Sequence, residues 1–153
     1  MCQTLSVRDD LQDLPVLLLS AARALVDGID TGVRARGFTD LRPAHGFAFV
    51  RLSGTGATVG ELAEHLEITK QAASQMADEL VNKGYVERRP HPSDARARLL
   101  VLTAKGVACT RAADAAAEET LRPWAEALPA GQLAALRAAL LRLATPGRIR
   151  PTW

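Results

Sequence analysis

Aromatic residues are scarce in this 153-residue chain, at 4% against 48% hydrophobic residues overall. A core with so few large rings has to be built from Ala, Leu and Val, which suits helices better than a sandwich. Cysteine is equally rare. Cys2 and Cys109 stand far apart and form neither a CxxC pair nor a metal spacing, so a reduced intracellular protein without a metal or other cofactor is expected. Long apolar runs are missing too: Leu14 to Leu19 is far too short to span a bilayer, and no basic start leads into a secretory core. A cytoplasmic protein follows as the expectation. Charge of one sign is lacking as well, since 19 basic and 17 acidic residues leave +2, too little to mark a nucleic-acid binder by itself. Catalytic motifs are absent in the same way. His45, His65 and His91 are scattered, no HExxH, Gly-x-Ser-x-Gly or Walker loop occurs, and Ser53-Gly54-Thr55-Gly56 lacks the lysine and length of a phosphate loop. An enzyme is not expected.

What is present is helical punctuation. Leu11, Leu14, Leu18, Ala22, Leu25 and Ile29 recur at threes and fours and predict a helix to about Arg36, closed by Gly37. Leu17, Leu19 and Val26 widen its apolar stripe beyond one face, which asks for a second buried surface in another layer or another subunit. Pro43 starts a second helix to about Leu52, with Phe47, Val50 and Leu52 expected inward. Thr58-Val59-Gly60-Glu61 fits a capping box ahead of a short helix. Glu67-Ile68 makes a tight turn, Thr69 is a good N-cap for a helix to about Lys83, and Gly84 stops it. Two helices so closely joined form a helix-turn-helix. Tyr85–Arg88 and Arg98–Leu102 then read as two strands, with Pro90 and Pro92 barred from a central ladder. Thr103 caps an Ala-rich helix to about Leu121, and a last helix runs from about Pro129 to Ala144. The tail GRIRPTW is expected to be loose or to dock through Trp153. The fold class is mainly α with a small β-hairpin, a winged helix in outline.

Function is concentrated between Thr69 and Arg98. Wound at 100° per residue, the helix after Thr69 puts Ala73, Met76, Ala77 and Leu80 on one side and Gln71, Ser74, Gln75, Asp78 and Asn82 on the other. Gln can bond both edge atoms of adenine in a major groove, Ser can donate or accept, and Lys70 can reach guanine or phosphate. The same face could also be an ordinary solvated one. The neighbouring turn ERRPHPSDARARLLVL weighs against that, because Arg88, Arg89, Arg96 and Arg98 face one acid, Asp94, between positions 88 and 98. A hairpin after a helix-turn-helix projects toward an adjoining groove, where a narrow minor groove draws in arginine. Arg88 and Arg89 would anchor its base to phosphates, Arg96 would enter the groove, and Asp94 would orient Arg96. The bland reading is a charged edge that protects against aggregation.

The segment VGELAEHLEITKQAASQMADELVNKGYVERRPHPSDARARLLVLTAKG, with its Asp94-x-Arg96 wing and LTAKG opening the next helix, resembles the multiple antibiotic resistance regulator (MarR) family, and the resemblance extends more loosely over nearly the whole chain. It implies one winged helix-turn-helix unit over 1–153, with a DNA-binding lobe at 41–102 and a helical dimerisation region from 8–37 and 103–145. It further implies a homodimeric regulator, read as a repressor of a pseudo-palindromic operator, with Thr69, Lys70, Gln71, Ser74, Gln75, Arg88, Arg89, Asp94, Arg96 and Arg98 at the DNA. Homologous wings often read Asp-Pro-x-Asp-Arg-Arg; His91 and Ala95 replace the first Asp and first Arg here, leaving Arg96 as the minor-groove residue. Proteins similar to this sense a small molecule, often an anionic aromatic, between dimer helices and winged lobe. Arg23, which interrupts an apolar helix, and His45, beside Phe47 and Phe49, are the candidates to line such a pocket, although a capping role suits His45. Two rivals remain on the same scaffold: a thiol redox switch through Cys2 or Cys109, and a protein-interaction module without DNA binding. Buried Cys109 would act as a small hydrophobe.

Overall fold

The computed structural model describes residues 7–94 and 96–143, with side chains from residue 12 onward. Cys2, Leu11, Ala95 and the tail with Trp153 lie outside the described residues or side chains. Six helices and a two-stranded antiparallel hairpin follow in the order α1 (Val7–Ala35), α2 (Pro43–Leu52), α3 (Val59–Leu66), α4 (Lys70–Asn82), β1 (Val86–Pro90), β2 (Arg98–Leu102), α5 (Ala104–Ala127) and α6 (Gln132–Leu143). No helix among them is long and apolar enough to cross a membrane.

Local chemistry sets most of these boundaries. Pro43 opens α2, where the missing N–H costs nothing. The Thr58 side chain accepts from the Glu61 amide at 3.3 Å while the Glu61 carboxylate accepts from the Thr58 amide at 2.7 Å, so two free donors at the start of α3 are satisfied reciprocally. Glu67 takes a left-handed conformation, with φ of 52°, and turns the chain so that Thr69 can cap α4 by accepting from Ala72 N–H. The strands differ from expectation at one end. β1 begins at Val86 and continues to Pro90, which occupies the terminal rung opposite Arg98 and so needs no amide inside a ladder. A third short segment joins them: Ala57 pairs with Leu100 through bonds of 3.0 and 2.8 Å, tying the α2–α3 connection to the hairpin.

The core is built mainly from small and aliphatic residues, with Ala48, Leu52, Leu62, Leu66, Leu80 and Leu100 essentially inaccessible and Phe49 and Tyr85 supplying the rings. The expected inward set of α2 needs one correction. Val50 is 61% exposed, and Phe49, one residue earlier, is buried instead, because α2 turns its Ala48–Phe49–Leu52 face to α3 and the hairpin.

α1 runs along α5 at close range. An added Cβ at Gly28 would stand 2.5 Å from Thr120 Cγ2, and one at Gly32 would stand 2.5 Å from Ala116 Cβ, so the two glycines one turn apart are what lets these helices approach. α5 also begins under constraint. Its Thr103 cap accepts from Gly106 N–H, and a Cβ at Gly106 would fall 2.2 Å from the Tyr85 carbonyl oxygen. The carbonyl oxygen is backbone and the Cβ position is fixed by backbone, so neither can swing aside and Gly106→Ala must displace the start of α5 from the hairpin; a loss of roughly 1–3 kcal/mol in urea unfolding is expected.

Candidate nucleic-acid interface

α4 turns Ala73, Ala77 and Leu80 into the core and leaves Gln71, Gln75, Asp78 and Asn82 exposed, with Ser74 at the boundary. Thr69 and Lys70 are exposed at its first turn, and Thr69 has its oxygen committed to the cap. The result is a polar stripe on a helix whose opposite face is locked by packing.

The hairpin rises beside that stripe. His91 N–H bonds Ala97 O at 3.3 Å and Ala97 N–H bonds Asp94 O at 3.1 Å, closing the tip. His91 accepts from Ser93 N–H through Nδ1 at 3.3 Å. Asp94 holds Arg96 differently from expectation: its carboxylate accepts from the Arg96 backbone amide at 2.9 Å, an Asx turn that shapes the tip without engaging the guanidinium. The arginines at the base also differ. Arg88 reaches across to α4 and pairs with Asp78 at 2.7 Å, and Arg89 is bound by Glu87 two residues earlier on its own strand. Lys70, Arg96 and Arg98 are exposed and have no acidic partner among the described residues. Within residues 41–102, positive charge without an acidic partner among the described residues therefore lies at the helix start and the hairpin tip.

A polar network missed in the sequence fixes the back of α4. Glu79 accepts from Lys83 Nζ at 2.7 Å and from Arg42, and lies 3.4 Å from His45 Nε2. The Lys83 bond is the first reason its carboxyl is pushed down to about 2. His45 is 0% exposed and accepts the Arg42 amide through Nδ1 at 3.1 Å, so it caps α2 from within. Tyr85 donates to Asp40 at 2.6 Å, with Lys105 Nζ 4.0 Å above its ring; that bond is the main reason Asp40 is lowered, while burial raises the Tyr85 phenol.

Burial also lowers the His45 pKa below 6.5, outweighing the pull of Glu79 in the other direction, while Arg42 and Lys83 add to the lowering. The unfolded chain therefore takes up this proton first as pH falls. The stabilisation from a neutral His45 is complete above 6.5 and is lost as pH drops from there through its lowered folded value. Melting temperature is expected to fall as pH drops below about 6.5, with a flatter profile in His45→Gln. Glu79, held near 2, stays ionised across that window.

The two candidate pocket residues are not brought together. Arg23 pairs with Asp27 at 3.1 Å on the exposed side of α1, whereas His45 is sealed beneath α4. An open cavity of about 370 Å³ lies elsewhere, between Leu52, Thr55, Arg89, Pro90, Leu99 and Val107. Cys109 is buried, and burial pushes its thiol up to about 11, far from the ionised form that reacts with oxidants.

Residues 39–97 match the sequence model of the MarR family. No curated protein matches significantly. Among solved structures, a MarR family transcription regulator is 25% identical, with a TM-score of 0.74 and 89% of each chain covered. A mutant of MarR from E. coli, complexed with operator DNA, is 22% identical with a TM-score of 0.71 over 92% of this chain and 99% of that one. CouR from Rhodococcus jostii RHA1, bound to p-coumaroyl-CoA, is 21% identical with a TM-score of 0.71 over 96% and 100%.

Proposed function

We infer that this chain, whose residues 39–97 match the MarR family model, is a MarR-type homodimeric DNA-binding repressor that answers to a small molecule. The observation that carries the reading is the polar stripe of α4 lying beside a hairpin tip whose Arg96 and Arg98 are exposed and unpaired among the described residues. α4 enters the major groove, where Gln71, Ser74 and Gln75 meet base edges and Lys70 meets phosphate or guanine. The hairpin lies over the adjoining minor groove, with Arg96 inserted and Arg98 on the backbone. An interaction module would present apolar side chains on this stripe, and α4 has none there.

The dimer is formed by α1, α5 and α6, and the winged lobe spans 41–102. Leu14, Leu17, Leu18, Leu136, Leu140 and Leu143 are exposed on α1 and α6, and α6 buries no residue against its own protomer. Two copies related by a two-fold axis place their α4 helices at half-sites about one helical turn apart. An effector acts by changing that separation. The Rhodococcus neighbour, solved with p-coumaroyl-CoA, supports an anionic aromatic class of effector, and the E. coli neighbour, solved with operator DNA, supports duplex DNA as the partner. Base readout is tested by Gln71→Ala: discrimination at one position of each half-site should fall by about 1–3 kcal/mol in a competition series of single-base variants, with binding to random duplex unchanged. Unchanged preference at every position would remove Gln71 from the readout.

A further inference from the structure

Asp78 is out of place on a surface that meets phosphates. It lies seven residues after Gln71, so at 100° per residue it falls within about 20° of the same line and about 10 Å further along α4, in the middle of the polar stripe. Its neighbour Glu79 points to the protein side and is held by Lys83 and Arg42. Asp78 is exposed, and its carboxylate holds the guanidinium of Arg88, ten residues away on β1, at 2.7 Å. The Arg88 and Asp78 side chains are 34% and 56% exposed, so the pair is a partly solvated one of the kind that exchanges partners readily.

We propose that Asp78 is a selectivity residue, an internal competitor that withholds Arg88 from the DNA backbone and so lowers binding to duplex of any sequence. The inference rests on the DNA-binding reading above. A phosphate that takes Arg88 has to displace the Asp78 carboxylate and then leaves that carboxylate unpaired beside other phosphates, so Arg88 contributes little counterion release. Lys70, Arg96 and Arg98, which carry no such partner among the described residues, supply the phosphate attraction. The operator complex is penalised less, because base contacts hold α4 at a depth where Asp78 faces base edges, and a carboxylate can accept from the cytosine amino group there.

The test compares Asp78→Asn with wild type on operator and random duplexes across a salt series. Asn keeps the side-chain shape and an acceptor for Arg88 while removing the charge. Random-duplex affinity should rise, and its salt slope should steepen by about one ion; the gain should be roughly 3.5-fold larger at 50 mM than at 200 mM salt. The ratio of operator to random affinity should fall. Arg88→Ala should hardly change the slope in wild type but should remove the added ion in the Asp78→Asn background, and Asp78→Glu should keep the wild-type slope. Unchanged slope in Asp78→Asn, or weaker binding to both duplexes by protein of unchanged melting temperature, overturns the proposal. If Asp78→Asn does not fold, an Arg88→Ala variant that loses a full ion of slope overturns it independently. Wild type that binds no duplex even at low salt removes the DNA-binding reading itself, a failure separate from equal slopes.

Discussion

Leu136→Glu with Leu140→Glu will separate the protein into monomers and lower affinity for a two-half-site duplex by about 10²- to 10⁴-fold, the gain that linking two modest sites supplies. Leu133, Leu136, Leu140 and Leu143 recur at threes and fours along α6, so they form one stripe, and Leu143 is 82% exposed in the protomer. Among the described residues none of these four is buried, and they remain between 37% and 82% exposed. Burying a leucine is worth about 1.5–3 kcal/mol, and replacing two per chain at a two-fold interface removes four such contributions and puts four carboxylates in their place. Both positions are exposed in the single protomer, so its own fold should be little affected. Sedimentation velocity should give the monomer mass with helical circular dichroism retained. A variant that stays dimeric would move the interface away from α6.

Arg96→Ala should weaken binding to operator and random duplex alike by about 10- to 100-fold at low salt, matching the loss of one charged contact of roughly 1.5–3 kcal/mol, and should reduce the salt slope by about one ion. The size of the effect follows from its surroundings. The Asp94 carboxylate fixes the backbone of Arg96 while its guanidinium has no acidic partner among the described residues, so no internal bond has to break before it reaches DNA. Arg88→Ala should differ in kind, since Arg88 is already satisfied by Asp78. Equal slopes for wild type and Arg96→Ala would take the tip out of the minor groove.

Local chemistry was legible in the sequence and tertiary chemistry was not. Pro43, the Thr58–Glu61 pair, Thr69 and Gly84 each satisfy or terminate backbone within a few residues, so α2, α3 and α4 begin and end where residue type alone places them. The periodicity of α4 likewise separates its Ala73–Ala77–Leu80 face from its polar one. Val50 misled because α2 is apolar on nearly all sides, and only the position of α3 and the hairpin decides which side is buried. Glu79 and His45 are 34 residues apart and look like ordinary helical residues until packing brings them together. Asp78 and Arg88 were both visible as surface charges; their pairing depends on how far β1 swings back along α4. The Gly28–Gly32 spacing did carry a readable signal, two small residues one turn apart in a long helix, and it marks the α1–α5 contact.

The most direct test of the account is equilibrium binding of the purified protein to labelled duplex from the DNA flanking its own coding region, titrated with salt and with unlabelled random duplex. Binding should resist the competitor, protect two half-sites about one helical turn apart, and weaken steeply with salt. Complete absence of affinity for any duplex at low salt would contradict it and would leave the stripe of α4 and the Arg96 tip as a surface for a protein partner.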